Sequence, residues 1–259
     1  MAFRAITLVH SGTTNQESSI SGTVPATTQA GDVLIIAGQQ SSGVNTLSTS
    51  GPTTPSLISG PQITNSNNDV WVWGMDVSAD DLGSTATISS NGSGYFAGLL
   101  LVMSGVQTTG LAVATTKITT ATTSLTTPAL TTTVANTNVV NLYALRAASA
   151  TIPVVTVPGT HTKDGAATTG ASGASPSFSL TASHRTTPGA AGSYGGLSAT
   201  TNVAVTGTLF TIGLQPTATV GADAGFKVYK VSSAGVDQRL SVYYVNAAGV
   251  DVQVSDKTS

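Results

Sequence analysis

The stretch Asp69-Val70-Trp71-Val72-Trp73-Gly74-Met75-Asp76-Val77 mixes β-branched and aromatic residues over the length of one strand. Valine is stiff at its first side-chain torsion and fits a pleated surface. A second stretch, Tyr95 to Met103, is almost wholly apolar, which suits a strand covered on both faces. Neither has the i, i+3, i+4 spacing of an amphipathic helix. The rest of the chain agrees with these two. Of 259 residues only 20 are charged, Glu17 is the sole glutamate, and 44 are threonine. Helix surfaces are usually built from Glu, Lys, Gln and Arg, which lose little freedom there. A chain so poor in them is expected to be all-β, with a polar but nearly uncharged surface.

Working outward, strands are expected near 5–9, 32–37, 69–77, 85–90, 95–103, 139–145, 154–157, 177–182, 197–205 and 209–214. Turn chemistry separates them: Ser41-Ser42-Gly43, Gly51-Pro52, Ser90-Asn91-Gly92-Ser93-Gly94 and Pro188-Gly189-Ala190-Ala191-Gly192. The Thr-rich run 115–133 carries spaced apolar anchors (Ile118, Leu125, Leu130) and reads as an ordered edge strand with its connection. Short strands with regular punctuation suggest a sandwich or barrel. A faint repeat is also visible. Pro25-Ala26-Thr27-Thr28 precedes one apolar strand and Pro128-Ala129-Leu130-Thr131 another. Two similar antiparallel halves are what an antiparallel jelly-roll β-sandwich looks like in sequence.

Composition changes near residue 220. The first 220 residues hold 5 positive and 7 negative charges, and the last 39 hold four of each. We expect a sandwich over 1–216, a linker over 217–225 and a small β appendage over 226–259. The appendage is too small for much core of its own. Its Tyr229, Arg239, Tyr243 and Tyr244 are residue types suited to docking or oligomerisation.

Most chemistry is excluded by shortage. Without cysteine there are no disulfides, thiolate metal sites or thiol nucleophiles. A net charge of −2 gives no basic footprint for nucleic acid or a polybasic membrane patch. The longest apolar run is far short of a membrane-spanning helix, and the start of the chain has no charged leader followed by a long apolar region. No phosphate-binding loop, dinucleotide fingerprint or Gly-x-Ser-x-Gly elbow is present. His10, His161 and His184 stand apart and read as surface or strand-end histidines. Asp76, Asp80 and Asp81 form the one acidic cluster, a weak calcium candidate against the plainer reading of a solvated turn. Trp71 and Trp73 lie on one side of their strand, where they either fill core volume or stack on sugar rings. No cofactor and no catalytic residue is expected.

Several features recur in order: Gly31-Asp32-Val33-Leu34-Ile35-Ile36-Ala37; the loop from Gly51-Pro52 to Pro61; the Trp71–Val77 strand; Val77-Ser78-Ala79-Asp80-Asp81-Leu82-Gly83-Ser84-Thr85-Ala86-Thr87-Ile88; a strand ending in Ser104-Gly105-Val106; and Leu214-Gln215-Pro216. Over roughly residues 4–216 this resembles the jelly-roll domain of minor tail and related virion-surface proteins in phages of actinobacteria. Family members often carry Gly-Trp near the loop at 55–61, and this chain has no Trp there. The resemblance implies a non-enzymatic structural part of a bacteriophage particle, a minor tail protein or a capsid decoration. Its partners would be other virion proteins, sister copies in a homo-oligomer, and possible host-envelope polysaccharide during host attachment. It would be made in the host cytoplasm. The rival expectation is a carbohydrate-binding module or adhesin using Trp71, Trp73 or the loop tips.

Overall fold

In the computed structural model the described residues are 2–10, 17–41, 47–51, 53–63, 68–169, 176–217, 226–231, 239–245 and 251–258. Almost all of them are in antiparallel sheets, and the one helical element among them is a single 3-10 turn at Ala79–Asp81. The chain divides into two compact units, Met1–Pro216 and Thr217–Ser259.

The first unit is an all-β sandwich built twice over. Its first repeat contains β1 (Ala2–His10), β2 (Glu17–Thr23), β3 (Val33–Gln40), β4 (Leu47–Ser50), β5 (Ser56–Ile63), β6 (Asp69–Asp76), β7 (Thr85–Gly94) and β8 (Phe96–Ser104). The second contains β9 (Val106–Thr126), β10 (Leu130–Thr132), β11 (Asn138–Ala147), β12 (Val155–Thr156), β13 (His161–Thr169), β14 (Ser177–Arg185), β15 (Gly192–Tyr194) and β16 (Ser198–Pro216). The large sheet of the first repeat runs β1-β8-β3-β6-β5. In the second repeat β9 pairs with β16, and the order continues β16-β11-β14-β13. Position by position the two sheets have the same plan. A smaller sheet, β2-β7-β4, covers the first large sheet. Its counterpart is made by β12, the β10-β15 pair and the bent ends of β9 and β16.

Three apolar cores follow from this doubling. The outer core of the first repeat holds Ile20, Leu34, Ile36, Trp71, Trp73, Met75, Ile88 and Leu100. That of the second holds Leu125, Tyr143, Leu145, Val155, Val205 and Leu209. Between the two large sheets lies a shared core in which Val33, Ile35, Val72, Leu99 and Leu101 meet Val140, Leu142, Leu180, Phe210 and Ile212. The large sheets are thus covered on both faces. That explains the unbroken burial of β3 and the near-unbroken burial of β8 and β11. A polar clamp reinforces the shared core. Gln39 Nε2 donates to the Leu145 carbonyl and to Asn68 Oδ1, and Asn68 Nδ2 donates to the Ala144 carbonyl.

This arrangement corrects the sequence reading at several points. The faint repeat has a counterpart in the matching strand orders of the two large sheets, but each half is a two-sheet unit rather than one half of a single sandwich. The stretch 90–94 is not a turn: β7 runs through it to Gly94. The two expected strands at 197–205 and 209–214 are one strand, β16, with register shifts between Thr200 and Gly207 where it passes from the cover into the large sheet. At that bend Gly207 has φ +157, and a Cβ there would collide with the Ala144 carbonyl oxygen, so the close approach to β11 admits only glycine. The Thr-rich stretch 115–133 agrees with its reading as an edge strand and connection: it supplies the later part of β9, which among the described residues pairs with β16, and then β10.

The second unit is a three-stranded antiparallel sheet, β17 (Phe226–Val231), β18 (Arg239–Val245) and β19 (Asp251–Thr258), in that order. Tyr229, Arg239, Tyr243 and Tyr244 fall on its strands, and their side chains lie outside the described part of the structure.

Candidate functional site

The acidic cluster is a structural joint. The carboxylate of Asp81, fully buried, accepts from the Ser78 amide (2.7 Å), the Ser78 hydroxyl (2.7 Å), the Thr53 amide (3.0 Å) and the Thr53 hydroxyl (3.0 Å). Burial alone raises its pKa, but these four donors outweigh it and hold the carboxyl below the ordinary range. Asp76 is exposed and binds the amide (3.0 Å) and hydroxyl (2.7 Å) of Thr108, pinning the start of β9 to β6. Asp80 is exposed. The three carboxylates serve separate tasks, and no group of three metal-ligating side chains occurs among the described residues. Calcium is therefore not the reading the geometry favours. Asp81→Ala is expected to cost about 2 kcal/mol in urea unfolding, because four hydrogen bonds to one buried carboxylate are lost together. An unchanged midpoint would contradict this role.

Trp71 and Trp73 are each only 5% exposed and sit in the outer core of the first repeat. The indole of Trp71 packs so closely on Gly60 that a Cβ there would overlap its ring. The paired-indole sugar platform is thereby corrected to core filling: in β6 the odd-numbered positions point into the repeat, and the small cover sheet seals them.

A pocket that gathers an arginine, a histidine and a tyrosine lies in the second repeat. It has a volume of about 220 Å³. Val139 and Asn141 of β11 and His161 of β13 form its buried floor, while Arg185 of β14 and Tyr194 of β15 stand half-buried at its mouth. Cross-strand pairing explains the grouping. His161 sits directly opposite Arg185 in the β13–β14 ladder, so both side chains leave the sheet on the same face. The Arg185 guanidinium lies 4.7 Å from the centroid of the Tyr194 ring, a cation–π contact. The Tyr194 hydroxyl donates to the Ala190 carbonyl, which fixes the ring. His161 Nδ1 is 3.2 Å from the Thr160 hydroxyl, and its Nε2 has no hydrogen-bond partner. Burial, and then the positive charge of Arg185 and the nearby His184, push the His161 pKa down to about 4. The imidazole is neutral at pH 7.

His184 is on the opposite face of β14. Its Nδ1 is 2.6 Å from Asp164 Oδ1, and Phe3 of the first repeat stacks on its ring at 5.4 Å. Burial raises the pKa of Asp164, and the hydrogen bond and charge of His184 partly offset it. This pair fastens the edge where β1 meets the second repeat.

So two of the three histidines, read from sequence as surface or strand-end residues, are at strand ends but not on the surface. His161 is 7% exposed and His184 is largely covered. Sequence reasoning missed Arg185, Tyr194 and Asn141 as companions of His161. A usable signal existed: between residues 118 and 216 the charged residues are Arg146, Lys163, Asp164 and Arg185, and three of these lie within three positions of His161 or His184.

Compared with family models, curated proteins and solved structures, the chain gives no match to any of them.

Proposed function

We propose that the chain is a non-enzymatic structural protein on the exterior of a bacteriophage particle, a minor tail protein or capsid decoration, with each repeat a jelly roll. The observation that carries this reading is the doubled strand order. The orders β1-β8-β3-β6 and β2-β7-β4 agree with those of a jelly roll numbered along the chain, while β5, which a jelly roll would pair with β4, pairs with β6 instead; the second large sheet follows the first. A sheet stack with a continuous shared core suits a part that must stay folded outside a cell. The sparse charge of residues 1–220 suits a display scaffold, and the balanced charges of the last 39 residues suit attachment. In this reading the second unit, residues 217–259, docks on other virion proteins or on sister copies, and the loops of the first unit face the host envelope. Strand edges such as β5 and β13 offer a route to pairing between copies.

The test is immunogold labelling of intact particles with antibody raised against this chain. Label at the tail or capsid surface is expected, and unlabelled particles from a lysate that contains the protein would overturn the proposal. A chain ending at residue 217 is expected to give the same thermal unfolding midpoint for the first unit while failing to incorporate. Normal incorporation of the shortened chain would remove the second unit from the docking role.

A further inference from the structure

The doubled plan allows the two repeats to be compared site by site, and besides the differently built cover they differ on the strand next to the central one. In the first repeat the strand beside β3 points Trp71, Trp73 and Met75 into the outer core. In the second the strand in the same place of the sheet is β14. Ser179, Thr181 and Ser183, paired across to Leu145, Tyr143 and Asn141, point the same way. All three are fully buried. On this strand two indoles and a thioether have given way to three hydroxyl side chains, and the large buried ring on that face is Tyr143 of β11, opposite Thr181. The 220 Å³ pocket opens on that side of the same sheet, past the Arg185 end of β14.

We infer that this pocket is a binding site for a small carboxylate with a ring-shaped body, its carboxylate held by Arg185 and its ring between Tyr194, Val139 and Leu197. The Arg185 guanidinium has no carboxylate partner among the described residues, although it is half-buried and held in place by the Tyr194 ring. A fixed guanidinium presents a planar fork that matches a carboxylate in bidentate geometry. The walls supplied by Val139, Leu197 and the Tyr194 ring are apolar, which suits the flat face of a sugar or aromatic ring. Unpaired Nε2 of His161 supplies a further polar contact beside the floor. At about 220 Å³ the pocket is below the usual range for drug-sized ligands and fits a single ring with its substituents. This inference does not depend on the virion reading and would stand for any adhesin or binding module.

The experiment is calorimetric titration of the full chain with glucuronate and with benzoate, each beside its neutral counterpart, glucose and benzyl alcohol. Saturable binding of at least one acid is expected, with its neutral counterpart weaker by at least about tenfold, the loss that follows from one missing charge-assisted pair. The stronger acid identifies the source, a sugar acid of an envelope polysaccharide or an aromatic acid. Arg185→Gln is expected to abolish binding, and Arg185→Lys to keep charge but lose the fork and weaken it by about tenfold. Absence of binding by both acids, equal binding of acid and neutral counterpart, or undiminished binding by Arg185→Gln would each overturn the inference. The comparison of acid with neutral counterpart uses the unaltered protein, so it decides the matter whichever variants fold.

Discussion

Phe210→Ala is expected to lower the stability of the first unit by about 4 kcal/mol, and the loss is expected to register in both repeats at once. Phe210 is fully buried in the core shared by the two large sheets, on β16 and opposite Leu142 of β11. Removing its ring forfeits the transfer energy of the side chain and leaves a cavity that two stiff sheets cannot collapse around. Both tryptophans of the chain, Trp71 and Trp73, belong to the first repeat, whereas Phe210 belongs to the second. Tryptophan fluorescence therefore reports on the repeat that was not altered. If the shared core couples the repeats, the fluorescence midpoint in urea moves together with the far-ultraviolet circular dichroism midpoint. A fluorescence midpoint that stays in place while the dichroism shifts would mean that the repeats unfold separately and that the shared core is only a contact surface.

The same core explains which parts of the fold could be read from sequence. Strands covered on both faces, such as β3, β8 and β11, are runs of apolar residues, and composition alone locates them to within a few residues. Strands such as β2, β5 and β13 have exposed or half-covered faces filled by Ser, Thr, Gly and Ala, and their sequences look like the loops between them. The Asn91-Gly92 pair carried a turn signal, yet it lies within β7, where the register with β2 shifts between Ser89 and Gly94. The number of layers was illegible for another reason. Burial on both faces says that something lies on each side of a sheet, without saying that it is a second copy of the same sheet. Only the register data, β1-β8-β3-β6-β5 against β9-β16-β11-β14-β13, reveal that.

The site was less legible than the fold. Trp71 and Trp73 drew attention as large residues in a chain of small ones, yet in such a chain large residues are what a core needs most. The pocket residues come from β11, β13, β14 and β15, separated by tens of residues and gathered by pairing such as His161 opposite Arg185. No local motif encodes that meeting. What the sequence did hold was scarcity: an arginine retained in a nearly uncharged repeat is there for packing, for pairing or for a ligand, and Arg185 has no acidic partner among the described residues.

Replacing His161 with glutamine is expected to flatten the acid side of the stability profile. The imidazole is buried, faces the Arg185 cation and has His184 nearby, so its pKa in the folded protein falls to about 4, against about 6.5 in an unfolded chain. Between those values the unfolded chain binds the proton more readily than the folded one, and stability decreases as pH falls. The contribution is complete above pH 6.5, is lost progressively toward pH 4, and changes little below it. Each unit of difference corresponds to about 1.4 kcal/mol, so the wild-type protein is expected to lose on the order of 3 kcal/mol through this group alone. Other groups titrate nearby. Asp81, with its lowered pKa, keeps its contribution above its ordinary value and loses it only at lower pH. Asp164, with its raised pKa, is stabilised by protonation and acts in the opposite sense to His161. Both are present in the two proteins, so the difference between wild type and His161→Gln isolates the histidine. Urea unfolding at pH 7, 5.5 and 4 is expected to show the gap shifting by up to about 3 kcal/mol in favour of the variant as pH falls. Parallel profiles would mean that His161 is protonated as easily in the folded pocket as in water, and the pocket floor would then be wet and open rather than a closed seat beneath Arg185.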